Sequence, residues 1–213
     1  MDFLRLLAAG RCGALDTFFS GLTYFGSEIA FMAAALLIFW CVDKRQGYYV
    51  FLVGALGTVC NQFLKLAFRI PRPWVLDPDF QIVEAARADA TGYSFPSGHT
   101  QNIVGTTASI FASRKEAWVR IVCVVLMLLV PFSRMYLGVH TPLDVGVAFL
   151  TALALAAALY PAFRTESAAK KTVPWLLLGV AVLCGRYLIY ASSLARCDWP
   201  EGSEDPVSYT HLR

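Results

Sequence analysis

Residues 118–163 read WVRIVCVVLMLLVPFSRMYLGVHTPLDVGVAFLTALALAAALYPAF. Two apolar runs, 118–135 and 142–163, flank a short turn that holds a histidine. A serine and an arginine lie at the end of the first run, and an aspartate lies two residues into the second. Each run is close to the roughly 20 mostly apolar residues with which an α-helix crosses the hydrocarbon core of a bilayer. The stretch therefore predicts two membrane-spanning helices joined by a polar turn.

Four further apolar runs lie at residues 18–42, 48–68, 99–112 and 173–191. The whole chain of 213 residues is 57% hydrophobic and only 15% charged, whereas soluble domains are about 25% charged. We therefore predict an all-α, polytopic transmembrane bundle of about six helices, built as one domain over residues 1–205. The run 99–112 is rich in threonine, serine, glutamine and asparagine, so we expect it inside the bundle.

The ends of the chain and its cysteines leave two questions open. Residues 206–213, PVSYTHLR, do not continue any pattern and resemble the translated read-through of a sequencing adapter, so we assign this tail no function and leave its native origin open. The six cysteines show no metal-type spacing and favour neither a zinc site nor a disulfide framework. Cys12 and Cys197 lie outside the apolar runs, and whether they pair stays open.

The distribution of basic residues predicts the orientation. Short cytoplasmic loops of membrane proteins carry an excess of lysine and arginine. One set of connections holds Lys44, Arg45, Arg114, Lys115, Arg120, Arg164, Lys170 and Lys171. We expect that side to be cytoplasmic and the polar loop 69–98 to face the extracytoplasmic side of the cell membrane. The net charge of +3 is spread along the chain, which argues against a nucleic-acid partner.

The first polar block is KLAFRIPRP, residues 65–73. Lys65 and Arg69 are four residues apart and share a helix face. Pro71 and Pro73 should end that helix and hold Arg72 in an extended turn. The alternative is that these basic residues only reach toward lipid headgroups at the membrane edge.

The second block is SFPSGHT, residues 94–100, at the predicted start of a helix. The N–H groups of a helix N-terminus bind anions, Ser97 could add a hydroxyl donor, and Gly98 allows a close approach of the backbone. His99 would then lie at the first turn. The alternative is a serine N-cap followed by an incidental histidine.

The third block is SRMYLGVHTPLD, residues 133–144. His140 and Asp144 are four residues apart across a helix start, with Pro142 suited to the first turn. The carboxylate could hold one imidazole nitrogen and leave the other one to attack as a nucleophile. The alternative is a structural histidine–aspartate pair.

Together the blocks supply three cations, two imidazoles and one carboxylate, which suit a phosphoryl group in transfer. The cations could replace Mg²⁺, because no carboxylate-rich metal site is apparent, so we expect neither a metal nor another cofactor. These residues are Lys65, Arg72, Arg134, His99, His140 and Asp144.

The pattern K-x6-RP, PSGH and SR-x5-H-x3-D resembles the type 2 phosphatidic acid phosphatase superfamily, and in particular its bacterial membrane lipid phosphatases and undecaprenyl diphosphate phosphatases. The resemblance covers residues 65–144. All its positions are present: Lys65, Arg72, Pro73, Pro96, Ser97, Gly98, His99, Ser133, Arg134, His140 and Asp144.

The resemblance implies a membrane-embedded, metal-independent phosphatase with its site near the outer membrane surface. His140 would attack phosphorus and Asp144 would orient it, while His99 would protonate the leaving oxygen. The phosphate oxygens would be held by Lys65, Arg72, Ser97, the Gly98 amide and Arg134. Undecaprenyl diphosphate, phosphatidylglycerophosphate and phosphatidic acid would all be suitable substrates.

Three charges of the outer loop have no place in the motif. Glu84, Arg87 and Asp89 either contact a lipid headgroup or, as we expect, are solvated loop charges. Two other functions use the same residues: a non-catalytic anionic-lipid binding or transport protein, and a vanadate-dependent oxidase, whose relatives are soluble. The preferred lipid and the oligomeric state stay open.

Overall fold

The computed structural model describes residues 1–195. Cys197 and the tail 206–213 lie outside the described residues, and so do the questions of a Cys12–Cys197 pair and of the origin of the tail.

Within residues 1–195 the backbone forms nine α-helices and no β-strand, which confirms the predicted all-α class. Three short 3-10 turns, at Tyr24–Gly26, Glu84–Ala86 and Tyr160–Phe163, connect some of them. The helices are α1 (Asp2–Ala9), α2 (Gly13–Thr23), α3 (Glu28–Cys41), α4 (Lys44–Phe68), α5 (Pro73–Leu76), α6 (Gly98–Ser113), α7 (Ala117–Tyr136), α8 (Pro142–Leu159) and α9 (Glu166–Ala195).

Four stretches of this part of the chain are long and apolar enough to cross a membrane: Lys44–Leu76, Ala117–Tyr136, Pro142–Phe163 and Glu166–Ser193. A fifth span results if α2 and α3, which meet at an angle of 52°, are counted as one. The multi-pass architecture is thus confirmed, whereas the predicted count of six is not. The difference is α6, which has 16 residues and is short for a span.

The first predicted helix, over residues 18–42, is broken in the structure. Ser27 caps α3 by accepting a hydrogen bond from the Ala30 amide at 3.1 Å. The preceding Gly26 passes so close to the start of α6 that a Cβ there would lie 2.8 Å from the His99 carbonyl oxygen. Capping and close approach together favour a bend over a continuous helix.

Helix α6 occupies the centre of the bundle, where it packs against α3, α4, α7 and α8. Its hydroxyl groups bond back to its own carbonyls, as Thr107 does to Ile103 and Ser109 to Gly105. This is the central position that its small and polar residues predicted. The buried polar residues of α6 are Thr100, Gln101, Asn102, Thr106, Thr107 and Ser109.

The outer loop between α5 and α6 is packed onto the turn between α7 and α8. The Val83 amide donates to the Leu137 carbonyl at 3.1 Å. One apolar cluster joins the loop, the turn and α1; its buried members include Leu4, Phe80, Ile82, Ala86, Ala90, Leu137 and Val139. The loop therefore holds the α7–α8 turn in place.

Candidate active site

A cavity of about 410 Å³ lies where α4 ends and α6 begins. It brings together residues from all three sequence blocks. The predicted site residues that line it are Lys65, Arg72, Gly98, His99, Arg134 and His140. Asp144 and Ser97 are buried and are not among the described residues that line it.

His140 lies in the turn between α7 and α8, outside both spans, and its side chain is 2% exposed. Its Nε2 atom is 2.9 Å from Arg72 Nη1, and its Nδ1 atom is 3.5 Å from Asp144 Oδ2. Within residues 1–195, Nδ1 has no hydrogen-bond partner. Burial holds the pKa of His140 well below its ordinary value, and the nearby Arg72 and Arg134 guanidinium groups lower it further, which favours the neutral imidazole.

Asp144 is fixed by a capping box at the start of α8. Its Oδ2 atom accepts from the Thr141 amide at 2.8 Å, while its own amide donates to Thr141 Oγ1 at 3.3 Å. The same Oδ2 accepts from Ser94 Oγ at 2.6 Å. Ser94 begins the second block but is not among the site residues that the sequence predicts. The Asp144 carboxylate, which lies next to His140, is thus held by two donors, the Thr141 amide and the Ser94 hydroxyl.

Arg72 is held by three backbone carbonyls. Its Nη1 donates to Val139 at 3.0 Å, its Nε to Gly92 at 3.0 Å and its Nη2 to Thr91 at 2.7 Å. Arg72 has the extended backbone that the flanking prolines predicted. Because backbone carbonyls leave no mark in a sequence, the roles of Thr91 and Gly92 could not be anticipated from it. The guanidinium is therefore rigidly placed next to His140.

Arg134 is fully buried, and two of its guanidinium nitrogens have no hydrogen-bond partner within residues 1–195. Its Nη1 donates to Thr23 Oγ1 at 2.9 Å, whereas Nε and Nη2 have no partner in the described part of the chain. His99 Nε2 likewise lacks a partner among residues 1–195. Buried donors without partners are rare in folded proteins, and charged ones favour an anionic oxygen. Thr23, from α2, is a contact that no motif indicated.

Ser97 is the N-cap of α6. Its Oγ accepts from the Thr100 amide at 3.4 Å and from Thr100 Oγ1 at 3.0 Å. The capping alternative is therefore observed, and a contact of Ser97 with phosphate stays a prediction. Gly98 and His99, the first residues of α6, line the cavity, so the positive end of the helix is directed at it.

The three loop charges differ from one another. Glu84 and Arg87 form an exposed ion pair at 2.7 Å, and the Arg87 guanidinium lies 5.4 Å from the centroid of the Trp74 ring. They are surface charges, as expected. Asp89 is exposed as well, but it lines the cavity, so it can meet whatever enters.

Arg11 braces the turn that carries His140. Its Nε and Nη2 donate to the Tyr136 carbonyl at 3.0 and 2.8 Å, and its Nη1 donates to the Gln81 carbonyl at 2.6 Å. Gly138 adopts a φ of +83°, and a Cβ there would lie 2.7 Å from Arg11 Nη2. Glycine is needed at this position for both reasons.

Comparison with known proteins agrees with this arrangement. A family model described as the PAP2 superfamily matches residues 46–168. The chain is 34% identical over 128 residues to the undecaprenyl-diphosphatase BcrC of Bacillus subtilis, covering 57% of this chain and 63% of that protein. It is 26% identical over 151 residues to the undecaprenyl-diphosphatase of Sulfolobus acidocaldarius, covering 70% of this chain and 71% of the relative.

Among solved structures, LpxE of Aquifex aeolicus superposes with a TM-score of 0.66 at 25% identity, covering 75% of this chain and 93% of that one. The family model spans more than half of the 213 residues, and the family predicted from the three sequence blocks is confirmed. This multi-pass membrane chain belongs to the PAP2 superfamily.

Proposed function

We propose that the chain is an integral membrane phosphatase that hydrolyses a lipid phosphate or diphosphate through a phosphohistidine intermediate on His140. One observation carries the proposal. His140 Nε2 is beside Arg72 and the cavity, whereas Nδ1 is directed at the anchored carboxylate of Asp144. This is the orientation in which a carboxylate positions an imidazole and leaves the opposite nitrogen to attack.

The reaction then has two balanced steps. Nε2 forms a bond to phosphorus as the bond from phosphorus to the leaving oxygen breaks, and His99 gives that oxygen its proton. Water next attacks the phosphohistidine, His99 takes up the proton of the water, and inorganic phosphate leaves. Lys65, Arg72 and Arg134, with the Gly98 amide and Ser97, stabilise the phosphoryl oxygens.

The substrate is a lipid whose phosphate lies at the membrane surface. Two similar proteins are named undecaprenyl-diphosphatases, which supports a lipid diphosphate. Phosphatidylglycerophosphate and phosphatidic acid also place a phosphate at this depth. Three protein cations replace a metal ion in this proposal, because a cationic cluster can neutralise the developing charge by itself.

The site faces the extracytoplasmic side of the cell membrane, and residues 1–205 act as one domain. Support for the orientation comes from the basic residues near the α3–α4, α6–α7 and α8–α9 connections. Cysteines introduced one at a time at Asp79 and Ser167, in a variant whose six native cysteines are replaced by serine, would test it in intact cells. A membrane-impermeant thiol reagent should label position 79 and spare position 167, and the reverse pattern would contradict the orientation.

The enzymatic proposal is tested with purified protein in detergent. It should release inorganic phosphate from undecaprenyl diphosphate or phosphatidic acid in the presence of EDTA, and a radiolabelled phosphate should be trapped on the protein by an acid-labile bond. His140→Ala should abolish both signals, while Lys170→Ala, in an exposed ion pair, should keep them. Full activity in His140→Ala would refute the mechanism.

A non-catalytic lipid-binding or transport protein would need the cations but not two imidazoles. Saturable binding of these lipids by wild-type protein, without release of phosphate from any of them, would favour that function instead.

A further inference from the structure

Two amide side chains in the cavity lack partners and have no role in the mechanism above. Asn61 Nδ2 and Gln101 Nε2 are buried and make no hydrogen bond within the described residues. The two residues are 3% and 2% exposed, and both line the cavity. Burying a donor without a partner costs free energy, so two such donors facing one cavity are available to hydrogen-bond a ligand that enters it.

Gln101 is held in place by its neighbours. Its Oε1 accepts from Thr151 Oγ1 of α8 at 2.8 Å, which leaves the NH₂ group as the unsatisfied end. A Cβ on Gly57 would lie 2.6 Å from this Nε2. Asn61 follows Gly57 by one turn on α4 and precedes Lys65 by one turn, so all three share a helix face. The two amides therefore face the cavity from two helices, α4 and α6. The same cavity is lined by Lys65, Arg72 and Arg134, which together form the cationic cluster.

The neighbouring amide is already satisfied and provides an internal contrast. Asn102 donates from Nδ2 to the Gly26 carbonyl at 3.3 Å, and its Oδ1 accepts from Thr58 Oγ1 at 3.5 Å. Asn102 thus connects α6 to its neighbours, whereas Asn61 and Gln101 keep their donors for a ligand.

The proposed reaction defines which part of a substrate these donors could reach. In an in-line displacement the nucleophile and the leaving oxygen lie on opposite sides of phosphorus. In this mechanism His140 is on the nucleophile side and His99 is on the leaving side, and His99 and Gln101 of α6 line the same cavity. In a lipid diphosphate the leaving oxygen carries the second phosphoryl group, which then lies on the side of His99.

We propose that Asn61 and Gln101 form a subsite that binds the second phosphoryl group of a lipid diphosphate. This inference rests on the proposed function and narrows its substrate class. Neutral donors can bind this group because the adjacent cations already balance the charge of the terminal phosphate. A lipid monophosphate leaves the subsite without an anionic oxygen.

The test compares farnesyl diphosphate with farnesyl monophosphate, which share one hydrocarbon chain, in detergent micelles. Wild-type protein should prefer the diphosphate in kcat/KM. Asn61→Leu should lower the ratio of the two kcat/KM values about tenfold, the size of a lost hydrogen bond to a charged group. Its unfolding temperature should not fall, because an unpartnered polar group has been removed.

Two further variants secure the result. Asn61→Asp keeps the size of the side chain but replaces the donor with an anionic oxygen, so it should lower the ratio more than Asn61→Leu does. Thr106→Val removes another unpartnered polar atom of α6, at a residue outside the described lining of the cavity, and should leave the ratio unchanged.

Two outcomes contradict the subsite: a wild-type preference for the monophosphate, or a ratio that stays the same in both Asn61 variants. His140→Ala separates these outcomes from a failure of the proposed function. If His140→Ala still hydrolyses both lipids, the mechanism itself fails. If it is inactive while the Asn61 variants leave the ratio unchanged, only the diphosphate subsite is refuted.

Discussion

Helices α6 and α9 represent two opposite ways of placing a helix in this protein. Helix α6 has 16 residues, and its polar side chains are buried in the bundle. Helix α9 has 30 residues, and only 6% of its most apolar 18-residue stretch is buried against the rest of the described chain. Its large side chains are exposed, among them Trp175 at 73% and Ile189 at 71%. In this bundle an apolar helix therefore lies at the outside, and a helix rich in polar residues lies at the centre.

The reason is the solvent. Lipid tails are as apolar as leucine, so burying a leucine between helices yields little hydrophobic free energy. Small residues that let backbones approach, and polar groups that find partners, gain most from the interior. Gly105 illustrates this, since a Cβ there would lie 3.2 Å from Val53 of α4. The interior of the bundle is thus where polar chemistry can be arranged.

The largest expected effect comes from removing Arg134, a buried charge of α7 that lines the cavity at the start of α6. Arg134→Met removes a buried guanidinium with two unpartnered donors, and we expect kcat to fall about 10²- to 10³-fold. The unfolding temperature in detergent should hold, since a buried and incompletely paired charge is lost. The matched change in α9, Arg186→Met, should leave the rate of phosphate release near that of the wild type. An equal loss of activity in Arg186→Met would contradict the predicted difference between the centre of the bundle and its outer helix.

The next comparison is between Gly57 of α4 and Gly185 of α9, and the quantity measured is the free energy of unfolding. Gly57→Ala forces a Cβ against Gln101 and should lower the free energy of unfolding by about 1–3 kcal/mol. Apart from the backbone of its own helix and its chain neighbours, Gly185 of α9 has no atom within 4 Å of its Cβ position in the part of the chain that the structure describes. Gly185→Ala should be neutral or stabilise the helix by up to about 1 kcal/mol. Denaturation in mixed micelles would measure both, and equal destabilisation would speak against the assigned packing.

Serine allows a smaller test. Ser94→Ala removes a 2.6 Å hydrogen bond to Asp144, so we expect kcat to fall about tenfold with little change in KM. On α9, Ser192 donates to the Ile189 carbonyl of its own helix, and Ser192→Ala should keep wild-type kinetics. A rise in KM without a fall in kcat for Ser94→Ala would mean that Ser94 contacts the substrate and does not position Asp144.

The smallest effect is expected at the lipid-facing side of α9. Leu188→Ala and Ile189→Ala shorten exposed side chains and should change the free energy of unfolding by no more than about 0.5 kcal/mol. Kinetic constants should stay at wild-type values. A clear loss of stability would show that this face is covered by protein and not by lipid.

Much of the site could be predicted because its determinants are local. The prolines around Arg72, the capping serine before Gly98 and the four-residue spacing of His140 and Asp144 each act within one turn of chain. The partners of these residues could not be predicted, because Ser94 and Asp144 are 50 positions apart and Thr23 and Arg134 are 111 apart. Nothing in a local pattern indicates such pairs.

By itself the sequence determined the all-α membrane class, the apolar spans and the three blocks whose residues meet at the candidate site, since periodic apolarity and local turn residues specify helices and their ends. The tertiary structure alone decided that residues 18–42 bend near Gly26 and that Asn61 and Gln101 share one cavity with Lys65, Arg72 and Arg134. These features depend on how closely distant helices approach, which is set by packing between segments and not by the residues of any one of them.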